Sequence, residues 1–191
     1  GGGAGGYAMM RAVRYGVARG IFSNEAGLGS SVIVNSASNV KEPVRQGMWG
    51  IFEVFADTIV MCTITALAII VSGTHLSGAE GAGMSIEAFE GAFGRAGGLF
   101  VAIAIAFFAF SSILGWSYYG ERVVEYLFGR KLVGIYQLLF IGMTAVGCVG
   151  HLELVWSLSD TFNGLMAIPN LIAVLFLSNQ VFAITRDYVR R

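Results

Sequence analysis

The sequence predicts an all-α membrane protein, and three observations carry that reading. Hydrophobic residues make up 55% of the 191, whereas charged residues make up only 13%, about half the share usual in soluble domains. Mean hydropathy is +0.71. The charges are also missing from long windows: Ala96 to Gly120, Thr161 to Thr185, the stretch between Asp57 and Glu80, and Leu132 to Gly150. A bilayer core about 30 Å thick takes roughly 20 helical residues, and each window approaches or exceeds that length. Helices of soluble proteins average about 11–12 residues and are capped, which these windows do not resemble.

The same composition excludes other classes. Fourteen Phe, 7 Tyr and 3 Trp give too much apolar surface for a disordered chain. Zero formal net charge removes any electrostatic basis for nucleic-acid binding. Cys62 and Cys148 lie inside apolar runs and read as small buried hydrophobes rather than as a disulfide or metal framework. The opening glycines fit G-x-G-x-x-G through Gly1, Gly3 and Gly6, but no strand precedes them and no βαβ unit follows. A dinucleotide site therefore does not follow, and a loop or helix start does. No secretory signal pattern is visible, and the reading is of a chain that begins mid-protein.

The first element, residues 4–38, is hydrophobic but interrupted. Its segment Gly20–Ser31 sets Ser23, Asn24 and Glu25 between two apolar stretches and follows them with Gly27 and Gly29. Polar and ionisable side chains at membrane depth are costly unless paired. Non-helical backbone survives there only where it lines a cavity or is covered by protein. A helix broken at this point offers a half-helix N-terminus to anions and free carbonyls to cations. The spacing equally fits a surface loop between two short helices.

A second helix is expected over Gly47–Ser72. Glu53 and Asp57 are four apart and share one of its faces, with Asp57 roughly 15 Å into the bilayer at 1.5 Å per residue. Two roles fit them: binding a cation or proton, or pairing with a basic residue such as Arg45 or Arg19. The loop 73–96 is long and glycine-containing, and its middle, Ser85–Phe93, reads as a short amphipathic helix with Ser85 as N-cap. It is either a re-entrant or lid helix or a plain connection.

The third span, Gly97–Tyr119, carries Ser111 and Ser112 at its centre. Adjacent serines bond back to the preceding turn, or serve as hydroxyl ligands of a hard cation such as Na⁺. The fourth and fifth spans are expected over Leu132–Gly150 and Leu154–Leu177. The last contains Asp160, Thr161 and Asn163, and Pro169 interrupts its backbone ladder. His75 and His151 sit near span ends without a third metal ligand, and no HExxH is present. An intramembrane enzyme is not expected.

Basic residues sort by side. Lys41, Arg45, Arg122, Arg130, Lys131, Arg186, Arg190 and Arg191 fall in one set of loops and the tail. The opposite loops hold Arg95 against Glu80, Glu87, Glu90 and Glu153. The positive-inside rule assigns the first set, and hence the C-terminus, to the cytoplasm. Arg11, Arg14 and Arg19 lie on the outer half of the first element and stand outside this pattern; Arg11 and Arg14, three apart, share one helix face.

Four stretches resemble one family. RGIFSNEAGLGSS, PVRQGMWGIFEVFADTIVMCTITALAIIVSG, FFAFSSILGWSYYGER and LVWSLSDTFNGLMAIPNLIAVLFLS look like the alanine or glycine:cation symporters. These are Na⁺- or H⁺-coupled amino-acid transporters of the amino acid–polyamine–cation superfamily. The resemblance covers essentially the whole chain. Family members are longer, so it implies a C-terminal portion holding core helices 6 to 10 of a leucine-transporter-like inverted-repeat bundle.

From that resemblance, the break over Ser23, Asn24, Glu25, Ala26, Gly27 and Gly29 on core helix 6 is implied to help bind the amino-acid substrate. Trp156 on core helix 10 would cover the pocket from outside. Ser111 and Ser112 on core helix 8, with the Phe108 carbonyl one turn earlier, are implied sodium ligands. Asp57 on core helix 7 lies near a second cation position. The resemblance implies no cofactor beyond the coupling ion. It implies a small amino acid, the lipid bilayer and the N-terminal half of the same transporter as partners. The location it implies is a multi-pass one in the plasma membrane, the inner membrane of a bacterium. Without the first half the two sites are incomplete, and this chain alone is expected to be inactive. The rival is an ion channel or a structural bundle, which has no use for a broken helix.

Overall fold

The computed structural model describes residues 2–190; Gly1 of the glycine run and Arg191 of the basic tail lie outside them. Among the described residues every regular element is helical. In chain order these are α1 (Gly2–Asn24), α2 (Ser31–Asn35), α3 (Pro43–Phe55), a π-helical turn (Ala56–Met61) and α4 (Cys62–Ser72). After a short 3₁₀ turn come α5 (Ala82–Phe93), α6 (Arg95–Phe128), a second 3₁₀ turn (Arg130–Leu132), α7 (Val133–Val149) and α8 (Leu152–Arg190).

Among the described residues, four stretches are long and apolar enough to cross a membrane: Pro43–Ser72, Arg95–Phe128, Arg130–Val149 and Leu152–Arg190. Each of the charge-poor windows lies largely within one of them. At about 1.5 Å per residue, α6 and α8 run to about 51 and 58 Å, well beyond a core of about 30 Å. Their polar ends, with Arg122 and Glu125 on α6 and Arg186 and Asp187 on α8, remain helical outside the apolar stretch. Absence of charge marks where a helix meets lipid, not where it ends. Large apolar side chains along all four stretches point outward, as lipid permits, because between helices in lipid there is no hydrophobic drive to bury them.

The chain divides into two compact units. The unit Ala56–Phe140 is organised by α5 folding back on α6, with α4 also against α5. Gly94, at φ 69°, turns the chain between α5 and α6. Gly97 and Gly98 are buried where the two helices meet. A Cβ at Gly97 would come within 2.5 Å of the Phe89 carbonyl oxygen and 2.7 Å of the Phe93 Cβ, so only glycine allows this close backbone approach. Ser85 is not the N-cap of α5. The helix begins at Ala82 after Gly81, whose φ of 56° turns the chain a turn earlier, and it has no side-chain cap. Glu87 instead accepts a hydrogen bond from the Ser77 hydroxyl at 2.7 Å.

The other unit comprises the residues up to Phe55 and from Ile141 on. Here α3 packs on α8, and α1 and the break after it are tied to α8. Cys62 and Cys148 are corrected from the sequence reading: both thiols are exposed and unlinked. In a membrane helix the apolar face is the outer one, so an apolar run does not imply burial within the chain.

Candidate functional site

The residues after α1 form a compact break. Asn24 closes the helix and accepts the Ala26 N–H on its Oδ1 at 2.9 Å, a local turn in which a short amide mimics the backbone. Glu25 follows at φ 55°, the only non-glycine with positive φ among the described residues, and such a conformation is disfavoured for a long side chain. Two contacts hold it: its carbonyl accepts the Leu28 N–H at 3.1 Å, and its carboxylate accepts the Ser30 hydroxyl at 2.8 Å. Gly27 and Gly29 both sit at φ 84°, which glycine adopts without steric cost. Three left-handed residues within five turn the helix apart over Glu25–Gly29.

The break is also the best-packed part of its unit. Leu28 and Ser30 are each 3% exposed, in a chain whose other buried residues among those described are Ala88, Gly97 and Gly98. Ser23, Ala26 and Gly27 are exposed beside them. Beyond the break, α2 is only five residues long, so it supplies no appreciable dipole for an anion. The half-helix end that remains is the C-terminus of α1, where free carbonyls carry partial negative charge. The Asn35 amide donates to the Ser31 carbonyl at 2.9 Å, and the Gln46 amide donates to Asn35 at 2.6 Å, which ties α2 to α3.

This region is joined to α8 at two places. In the last two turns of α1, Arg19 pairs with Asp160 at 2.5 Å and lies over the Trp156 ring at 3.9 Å, while Phe22 meets the same ring edge-on at 5.8 Å. Within the break, the Asn170 amide donates to the Gly27 carbonyl at 2.9 Å. Arg19 thereby gains a partner that the sequence did not assign: its carboxylate is Asp160, not Glu53 or Asp57. Arg11 remains with its own helix, against Tyr7 and Tyr15.

The expected cation ligands lie in the other unit. The Ser111 hydroxyl donates to the Phe108 carbonyl at 2.9 Å, so these two are brought together in a back-bond of the kind serines make within a helix. Ser112 is exposed on the next position of α6. Asp57 is carried by a different element, the π-helical turn, and α6 packs chiefly on α5. Asp57 Oδ2 is shielded from solvent, whereas Glu53 is exposed. The i→i+5 bonding over Ala56–Met61 widens the turn that carries Asp57.

Sequence reasoning missed the π-helical turn, the Arg19–Asp160 pair and Asn170. The pair joins residues far apart in the chain, and no local spacing announces it. Pro169 was a signal for the last, since a proline within a long helix marks a departure from regularity, but it did not single out its neighbour.

The sequence model of the sodium:alanine symporter family matches residues 1–191. Among curated relatives, an uncharacterized transporter of Haemophilus influenzae is 44% identical over all of this chain and 42% of its own length. The sodium/alanine symporter AgcS of Methanococcus maripaludis is 44% identical over 93% of this chain and 40% of its own. The probable sodium/glutamine symporter GlnT of Bacillus subtilis is 41% identical over all of this chain and 39% of its own. The chain spans about two fifths of the length of these relatives. No solved structure gives a significant match.

Proposed function

This chain belongs to the sodium:alanine symporter family, and from that premise we propose that it is part of a Na⁺-coupled symporter of small neutral amino acids. Alanine or glycine is the substrate, carried inward across the plasma membrane by alternating access, with the C-terminus in the cytoplasm. In the complete transporter the chain contributes core helices 6 to 10 of a leucine-transporter-like bundle.

The observation that carries the proposal is the braced break at Glu25–Gly29. Backbone held open at membrane depth needs a reason, since each unsatisfied group there is costly, and a zwitterion is a ligand that uses such groups. The C-terminal carbonyls of α1 and the Glu25 carboxylate favour its ammonium group. Ser23, Asn24, Ala26, Gly27 and Gly29 form the wall, and the small residues admit only a small side chain. Trp156 closes the outer side, held in place by Arg19.

Coupling to Na⁺ runs through Ser111, Ser112 and the Phe108 carbonyl, oxygen ligands suited to a hard cation. In this reading the Ser111 back-bond to Phe108 rearranges when the ion binds. Asp57 contributes a second cation position, and H⁺ is the alternative coupling ion there. The test is equilibrium binding of labelled alanine and glycine to the complete transporter. Asn24→Ala is expected to weaken both, and unaltered binding of both would remove the break from the substrate site.

A further inference from the structure

We infer that Asn170 is a positioning residue that holds the helix break in its open shape. The inference rests on the reading of the break as the amino-acid site, and it adds a role for a residue of α8 that does not itself touch substrate.

The physical problem lies at Gly27. Its φ of 84° takes its carbonyl out of the helical ladder, and a backbone carbonyl that leaves the ladder needs a donor elsewhere. The Asn170 amide supplies one at 2.9 Å. The approach is possible because Gly29 has no side chain: a Cβ there would lie 2.7 Å from Asn170 Oδ1 and 3.0 Å from its Cγ. Gly29 is therefore fixed by two demands, its φ of 84° and the room that Asn170 occupies. The preceding residue, Pro169, lies within α8, and its ring clashes with the carbonyl one turn earlier and removes a ladder bond. Asn170 follows this proline directly, within a helix that continues unbroken to Arg190.

The Glu25–Ser30 bond closes the break from within, and Asn170 holds it from α8. By engaging the Gly27 carbonyl, Asn170 decides which backbone groups of the break remain open to a ligand. Any motion of α8 past α1 would loosen the break through this one bond.

The experiment uses the complete transporter in proteoliposomes, with Ala26→Cys as a reporter and all other cysteines, Cys62 and Cys148 included, replaced by serine. The rate at which the introduced thiol reacts with a water-soluble maleimide reads the shape of the break, and the KM for labelled alanine, measured in the transporter that keeps Ala26 and its native cysteines, reads the site. Asn170→Asp, which keeps the shape of the side chain but loses the donor, is expected to change the labelling rate severalfold and to raise KM about tenfold, the order of one lost hydrogen bond. Asn170→Ala is expected to do the same. An unchanged labelling rate in both variants would overturn the inference while leaving the substrate reading intact. A changed labelling rate with unchanged KM would support the brace and count against the substrate reading. Should the Asn170→Asp variant not fold, Gly29→Ala is compared with Asn170 intact and in the Asn170→Ala background. The backbone strain is common to both, so the effect of Gly29→Ala on labelling is expected to shrink when the Asn170 side chain is absent. Equal effects in the two backgrounds would overturn the contact.

Discussion

Arg19 and Asp160 form an ion pair at 2.5 Å between α1 and α8, and the same guanidinium lies 3.9 Å from the centre of the Trp156 ring. One arginine thus joins the start of α8 to the turn of α1 just before the break. Charge, planarity and an aromatic face are used together, which is why arginine and not lysine suits the position.

A double-mutant cycle on Arg19→Ala and Asp160→Ala in the complete transporter is expected to give a coupling energy of about 1 kcal/mol, in the range of interhelical polar contacts in membranes. Arg19→Lys should keep part of the ion pair and lose the stacking on Trp156, with destabilisation of about 0.5–1 kcal/mol. Reversible unfolding in mixed micelles provides the measurement, and additive single effects would show that the pair contributes nothing.

Gly97→Ala is expected to destabilise the α5–α6 corner by about 1–3 kcal/mol, the usual cost of overpacking, because the new Cβ meets the Phe89 backbone rather than a flexible side-chain end. Gly91→Ala, on the same pair of helices but with open space around it, should be nearly neutral. Thermal denaturation of the two variants in detergent compares them directly.

Ser111→Ala combined with Ser112→Ala is expected to abolish the Na⁺ dependence of uptake in the complete transporter. Neither serine is buried, so the fold should tolerate the change, and protein abundance in the membrane checks that. Uptake that keeps its full Na⁺ dependence would remove α6 from the coupling site.

Much of this was legible in the sequence because a membrane helix is written in what it lacks. The charge-free windows located the apolar part of α6 and α8, and the run from Ser23 to Gly29 located the break. The ends of those helices were not legible, since Arg122 and Asp187 continue a helix as readily as they end one once lipid is left behind. Nor was the half-helix after the break. The element was expected to run to residue 38, whereas α2 stops after five residues at Asn35, whose side chain turns to the backbone and to Gln46. Contacts such as Arg19–Asp160 and Asn170–Gly27 depend on which helices lie side by side, and local periodicity carries no information about that. The Ser111–Phe108 back-bond was one of two readings open at that position, and the hydroxyl cannot be assigned to a cation from spacing alone.

The most direct test of Na⁺-coupled symport is uptake of labelled alanine by the complete transporter in proteoliposomes, with an inward Na⁺ gradient compared against an equal K⁺ gradient. Saturable accumulation above the external concentration is expected with Na⁺, and only equilibration with K⁺. Non-saturable flux, or accumulation that is the same in both gradients, would contradict it.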